Sequence, residues 1–213
     1  MPTRHDFGEL DLIPDIVSEA LGRGDNWDDH VFDALAPYCD GDVVDAGANV
    51  GALTLRFARI ARRVIAFEPN RRMYDCLVNN VARLGLNVVT INRGIYSREI
   101  EILPEESPGQ QASSWTWTPK PGGVPAGPAD WPHSNRRVSA IKTDCQGADL
   151  HVLRGLRKFI VRDRPVIVFE YEKEFSLMHG DSWDDYQTWI TRHDYSLRQI
   201  AEGHGDFICV PNR

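Results

Sequence analysis

The chain has 213 residues, 42% of them hydrophobic and 26% charged, a make-up that fits one soluble globular domain with room for a sizeable core. Its formal net charge of −7 disfavours a polyanionic partner, though a local basic groove stays open. The four cysteines, Cys39, Cys76, Cys145 and Cys209, lie far apart with no Cys-x-x-Cys pair, which leaves no zinc spacing and no evident disulfide framework.

Reduced thiols of that kind suit a cytoplasmic protein. The opening segment MPTRHDFGELDL lacks an apolar signal core, and no run approaches the roughly 20 apolar residues of a membrane helix. A cytoplasmic location without a membrane span is therefore expected.

In chain order, residues 10–36 read as a helical lead-in, with Leu12, Ile13, Ile16, Val17, Ala20 and Leu21 at helix-like spacing. Gly22 and Gly24 interrupt it, and DNWDDHVFDAL restarts a helix with Asp25 or Asn26 as cap. Val43–Ala46 reads as a buried strand, 52–61 as a helix and Arg63–Phe67 as a second strand. A helix over Arg71–Leu84 ends at Gly85. Asn87–Ile91 is a third strand and Glu99–Leu103 a fourth, in a hairpin.

Residues 104–135 then carry Pro and Gly at a density that prevents a long regular element. Trp115, Trp117 and Trp131 lie inside this insert. With Gln110, Gln111, Ser113, Ser114 and Asn135 they suit either a lid stacking on a sugar or base, or a surface excursion with a tryptophan packed down. Regular structure returns with a strand over Val138–Thr143, a helix over 149–160 and a strand over Pro165–Tyr171. A helix over Trp183–Arg192 and a closing pair, Tyr195–Ile200 with Asp206–Val210, complete the pattern.

Alternation of strand and helix implies βαβ units and a mostly parallel sheet in a single domain. Such sheets bind ligands beyond the carboxyl ends of their strands. The segment VVDAGANVGALT (43–54) occupies the first such end. There Gly47 and Gly51 permit close approach of main chain to a ligand. The dinucleotide pattern G-x-G-x-x-G is broken by Asn49, and no Gly-Lys-Ser/Thr phosphate loop follows. S-adenosylmethionine, a nucleoside without phosphate, fits better. Asp45 can organise its amino-acid end. Glu68, in VIAFEPN and at about the 20-residue distance expected of a nucleoside-binding unit, can accept both ribose hydroxyls.

Three segments, VVDAGANVGALTLRFA, VIAFEPN and IKTDCQGADLHVLRGL, resemble the FkbM-type S-adenosylmethionine-dependent methyltransferases, over roughly residues 25–172. The resemblance implies a Rossmann-like class I methyltransferase fold with a seven-stranded sheet, and methyl transfer usually to a hydroxyl oxygen. It implies cofactor contacts at Asp45, Gly47, Asn49, Gly51 and Glu68, an adenine contact at Asn92, and Asp144 facing both sulfonium and acceptor. Glu170 and Glu172 close the next strand. The chain departs from the family at Gln146, where an acid is common, and at Gly94, where alanine is common.

The implied chemistry is an in-line displacement at the methyl carbon, in which the protein aligns the reactants and excludes water. A hydroxyl acceptor gains from a base. Asp144 is the first choice, with His133, His151 and His179 as alternatives. No set of His, Asp and Glu shows metal-ligand spacing along the chain, so no metal is expected. The expected acceptor is a small molecule or glycan. Nucleic acid, for which the insert would supply stacking, is disfavoured by the charge, and a non-catalytic cofactor-binding protein is the remaining class.

Overall fold

The computed structural model describes residues 10–13, 16–25, 27–106, 115–131 and 135–212. Two short helices, α1 (Ile16–Gly22) and α2 (Asp29–Leu35), lead into strand β1 (Asp42–Ala46). There follow α3 (Ala52–Phe57), β2 (Arg63–Phe67), α4 (Arg71–Leu84) and β3 (Val88–Ile91). Strands β4 (Gly94–Ile95), β5 (Ile100–Glu106), β6 (Trp115–Pro119) and β7 (Val124–Gly127) come next. The last part runs β8 (Val138–Thr143), α5 (Asp149–Gly155), α6 (Arg157–Asp163), β9 (Val166–Glu170), α7 (Lys173–Met178), α8 (Trp183–Arg192), β10 (Tyr195–Gln199) and β11 (Asp206–Pro211).

The main sheet has seven strands in the order β10-β11-β9-β8-β1-β2-β3. All neighbours are parallel except β11, which runs antiparallel to both β9 and β10. This is the mostly parallel seven-stranded sheet that the sequence implied. Strand β1 is buried along its whole length because both faces are covered. Val43, with Val64 and Ala140, packs against Phe32, Leu35 and Phe57 of α2 and α3. Val44, with Ile65 and Ile141, packs against Leu150, Leu153 and Phe159 of α5 and α6. Alternate residues thus serve opposite layers, as the strand pleat dictates. Asp42 and Arg63, both buried, pair across β1 and β2 at the amino-terminal end of the sheet.

Helix α4 starts where the Asn70 side chain accepts from the Arg72 amide and stops at Gly85, which takes φ 60°. Helix α8 opens on a reciprocal Ser182–Asp185 capping box.

Several boundaries differ from the sequence reading. The helix expected over 52–61 ends at Phe57. The one expected over 149–160 is two helices meeting at Leu156. Helix α2 begins after Asp28, in the left-handed region at φ 52°, so Asp25 does not cap it. Asn26 lies outside the described residues. Helix α7 and the two-residue strand β4 were not anticipated, being too short for a clear period.

The described part of the insert joins a second sheet of order β4-β7-β5-β6. Trp117 and Ile102 pack with Tyr96 and Ala126, and Trp131 stacks on Phe159 with centroids 4.0 Å apart. Trp131 is therefore part of the main core. Gln110, Gln111, Ser113 and Ser114 lie outside the described residues, and Asn135 is exposed.

Candidate active site

Strand order reverses around β1, the place where an α/β sheet leaves a crevice at its carboxyl edge. A cavity of about 670 Å³ opens there, lined by Gly47, Asn49, Glu68 and Asp144 among others. Four of the seven predicted site residues thus share one cavity. Asp45, Gly51 and Asn92 stand outside its lining.

The turn after β1 is built from left-handed residues: Gly47 at φ 76°, Asn49 at 52° and Gly51 at 102°. Asparagine tolerates this region through local hydrogen bonding, and the Asn49 side chain accepts from the Val50 amide at 2.7 Å. The Gly47 and Ala48 amides both donate to the Phe67 carbonyl at 3.0 Å, tying the turn to the end of β2. Behind it Asp45 is fully buried and accepts from Thr54 Oγ1 at 2.5 Å.

Glu68 is buried, and each of its oxygens receives a backbone amide. Oε2 accepts from Asn49 at 2.8 Å and Oε1 from Asn70 at 2.7 Å. Burial raises its pKa to about 7, with the two amides and Lys142 pulling the other way. Asn92 donates to the carbonyls of Glu68 and Pro69, at 2.8 and 3.0 Å. Its amide nitrogen thus fixes the Glu68 turn from behind.

Lys142 was not singled out in the sequence, yet it sits at the centre of the site. Its Nζ donates to the Gly47 carbonyl at 2.8 Å and lies 3.4 Å from Asp45 and 3.9 Å from Asp144. Burial opposes its charge, but Asp45 and Asp144 outweigh that and raise its pKa. A lysine inside an otherwise buried strand was the available signal, because such residues are almost never buried unless paired.

Asp144 follows β8, with about a third of its side chain exposed (32%). Gln146, left-handed at φ 50°, turns its amide back so that Nε2 donates to Asp144 Oδ1 at 3.2 Å and to Glu170 Oε2 at 3.4 Å. It therefore joins two carboxyls rather than supplying a third. Burial, and then Asp144, Asp149 and Glu172, hold Glu170 protonated well above the usual range. No side chain caps α5, Asp144 included; Asp149, the first residue of α5, holds the turn before it by accepting from the Cys145 amide at 3.2 Å and from Thr143 Oγ1 at 2.7 Å.

The alternative bases are placed less well. His179 lines the cavity, but burial and then His151 lower its pKa to about 4. His151 is stacked on Tyr96 with centroids 4.1 Å apart, bonds Ser97 at 2.8 Å, and is also lowered by burial. His133 lies outside the described residues. Burial raises the Cys145 thiol, which suppresses its thiolate.

Six carboxyls line the cavity (Asp28, Glu68, Asp144, Glu170, Glu172 and Asp206), against two permanent cations, Arg93 and Lys142. Arg93 is itself paired with Glu99 at 2.5 Å. The lining also holds His30, which meets Asp206 at 2.7 Å, and His204 beside it. Local spacing could not reveal this group, since His30 and Asp206 are 176 positions apart. No helix of the described residues is long and apolar enough to cross a membrane.

Sheet order, turn and cavity together define the class: this is a class I methyltransferase fold. The model of the Methyltransferase FkbM domain matches residues 130–197, about a third of the chain, and this stretch contains the third of the three motifs that resemble that family. The crystal structure of Methyltransferase FkbM from Methylobacillus flagellatus KT superposes with a TM-score of 0.54 at 19% identity, over 80% of this chain and 43% of that one. A Streptococcus mutans protein solved in complex with SAH has a TM-score of 0.51 at 13% identity, over 84% of this chain and 92% of that one. At these identities the likeness is one of fold. Among curated proteins, Ribosomal RNA small subunit methyltransferase A of Bacillus cytotoxicus is 28% identical over 93 residues. That stretch covers 41% of this chain and 32% of the relative, so the chain spans about a third of the length of the curated relatives it matches.

Proposed function

We propose that this chain is an S-adenosylmethionine-dependent methyltransferase acting on a hydroxyl oxygen of a small molecule or glycan and releasing S-adenosylhomocysteine. The observation that carries the reading is Glu68. It is a buried carboxyl at the end of β2, lining the same cavity as Asp144 at the end of β8. A carboxylate has about four acceptor positions. Two are taken by the Asn49 and Asn70 amides, and two remain for the vicinal hydroxyls of a ribose. The excess of carboxyls in the cavity favours a cationic nucleoside over a phosphate-bearing one.

When bound, the cofactor supplies a methyl group on a sulfonium, already activated for displacement. Gly47 and Asn49 shape the turn beside it, and Lys142 locks that turn by holding the Gly47 carbonyl. Asp144 accepts the proton that the acceptor hydroxyl loses as its oxygen takes the methyl group. Gln146 orients the Asp144 carboxylate, and Glu170, kept protonated, adds no second negative charge beside it.

A second reading, methylation of nucleic acid, is favoured by one observation: curated relatives are named as ribosomal RNA methyltransferases. The cavity's carboxyls count against it, since those that stay ionised, unlike the protonated Glu170, repel a phosphate backbone.

Calorimetry with S-adenosylmethionine and S-adenosylhomocysteine tests cofactor use, and absence of heat with both sinks the proposal. An acceptor screen with labelled cofactor, read by mass spectrometry, follows. Label on hydroxylated small molecules or glycans supports the first reading, and label on a ribosomal RNA fragment the second. Cofactor binding without label on any class would point to a non-catalytic binder.

A further inference from the structure

His30, His204 and Asp206 come from the start of α2, the β10–β11 turn and the first residue of β11. Each offers one ligand atom, and these atoms all lie within 4.8 Å of one another. Two imidazoles and one carboxylate form the donor set that suits divalent transition metals while leaving coordination positions open. Bonds of about 2.0–2.2 Å require ligand atoms no more than about 4.3 Å apart. At a tetrahedral angle such bonds put ligand atoms about 3.5 Å apart, so from within 4.8 Å the group tightens by up to roughly 1 Å around an ion.

Two of the three are already set. His30 Nε2 meets Asp206 Oδ2 at 2.7 Å, and Asp206 is held in the sheet opposite Glu170. His204, the exposed member, sits where two backbone carbonyls anchor the end of its turn. Its carbonyl accepts from Gln199 Nε2 at 2.8 Å, and the next carbonyl, that of Gly205, accepts from the Tyr171 amide at 2.7 Å.

Position gives the group its interest. All three residues line the same cavity as Asp144. Asp206 is the cross-strand neighbour of Glu170, and Gln146 ties Glu170 to Asp144. The cluster therefore lies two strands, across β9, from the residue to which the methyltransferase reading assigns the acceptor's proton.

We propose that His30, His204 and Asp206 bind one divalent transition-metal ion at the cavity, with open positions that take an oxygen of the methyl acceptor. The metal site stands on its own geometry, and its use in acceptor binding rests on the methyltransferase reading. A cation there offsets the local negative charge and holds a hydroxyl close to Asp144, lowering the pKa of that hydroxyl. The bland alternative is a His30–Asp206 hydrogen bond with His204 as a bystander.

The metal-free protein is titrated with Co²⁺ alone and followed by its visible absorption, with calorimetry of Zn²⁺ alongside. The expected result is one ion per chain, weakened at least about tenfold in His204→Ala and in Asp206→Asn. S-adenosylhomocysteine affinity should stay unchanged in His204→Ala, which also shows that this variant folds. Absence of binding, equal binding by both variants, or thiolate charge-transfer bands placing the ion on cysteine would overturn the site. Azide, as a small probe of open positions, should shift the Co²⁺ bands, and unshifted bands would overturn the acceptor role. Metal binding without any S-adenosylhomocysteine binding would leave the site standing and sink only that role, together with the methyltransferase reading.

Discussion

The backbone amide of Asn49 donates to Glu68 Oε2 at 2.8 Å, so the glycine turn and the acid of the next strand form one unit. The geometry has a cost in proton affinity, because burial raises Glu68 to about 7. The ionised carboxylate is the better acceptor for two ribose hydroxyls. Cofactor affinity should therefore rise with pH. With a pKa near 7, the ionised fraction grows roughly tenfold between about pH 6 and 8. Calorimetry with S-adenosylhomocysteine should follow that rise, and Glu68→Gln should bind weakly at every pH. A flat profile in the parent protein would remove the ribose role. Stability runs the other way. A carboxyl raised from 4.5 to about 7 binds more protons folded than unfolded, so folding is progressively disfavoured as pH climbs through that window, by up to roughly 3 kcal/mol.

Asp144 is assigned the proton of the acceptor, and its substitution should separate chemistry from binding. Asp144→Asn preserves shape and the contact with Gln146 while removing the base. Turnover should fall by about 10²–10⁴. Affinity for S-adenosylhomocysteine, which lacks the sulfonium charge, should stay within about twofold. Single-turnover rates and calorimetry on the same preparation decide the matter. Parallel losses in both would make Asp144 a binding residue instead.

The parts of the fold legible in the sequence were those with strong local signals. Strands such as Val43–Ala46 and Arg63–Phe67 are short runs dictated by burial on both faces, and α4 carries a cap, an apolar stripe and a terminal glycine. What was illegible depended on distant contacts. The break between α5 and α6 at Leu156 and the brevity of α3 have no local marker. In the site, Gly47 and Glu68 could be paired because their spacing is that of a βαβ unit. Lys142 was hidden inside a motif, and its role appears only when Asp45, Gly47 and Asp144 are brought around it. The His30, His204 and Asp206 group is the extreme case, assembled by the pairing of β11 with β9 and the packing of α2 on the sheet.

Lys142 should prove structural and electrostatic at once. Its Nζ lies within 4 Å of two carboxylates and bonds the Gly47 carbonyl. Lys142→Met keeps the stem and deletes the charge, leaving Asp45 buried without its counter-ion. Removing one member of a buried pair costs about 3–5 kcal/mol, and urea denaturation should show a loss of that size. Unaltered stability would mean that the Lys142 charge does not support the buried Asp45 and the Gly47 turn.

Gly47 supplies the sharpest steric prediction. At φ 76° a side chain is already strained, and a Cβ there would come within 2.0 Å of the Asp144 carbonyl oxygen, which is backbone and cannot swing away. Gly122, at φ 86°, has nothing within 4 Å of the same position. The two glycines share a conformational requirement and differ in space. Gly122→Ala should cost only the left-handed penalty, about 1–2 kcal/mol. Gly47→Ala must in addition push β1 and β8 apart where Asp144 leaves the sheet, which places it among the severe cases above about 4 kcal/mol. Thermal unfolding of the pair separates the terms. If both variants melt together, the approach of Gly47 to Asp144 is looser than described, and the positioning of Asp144 over the turn loses its support.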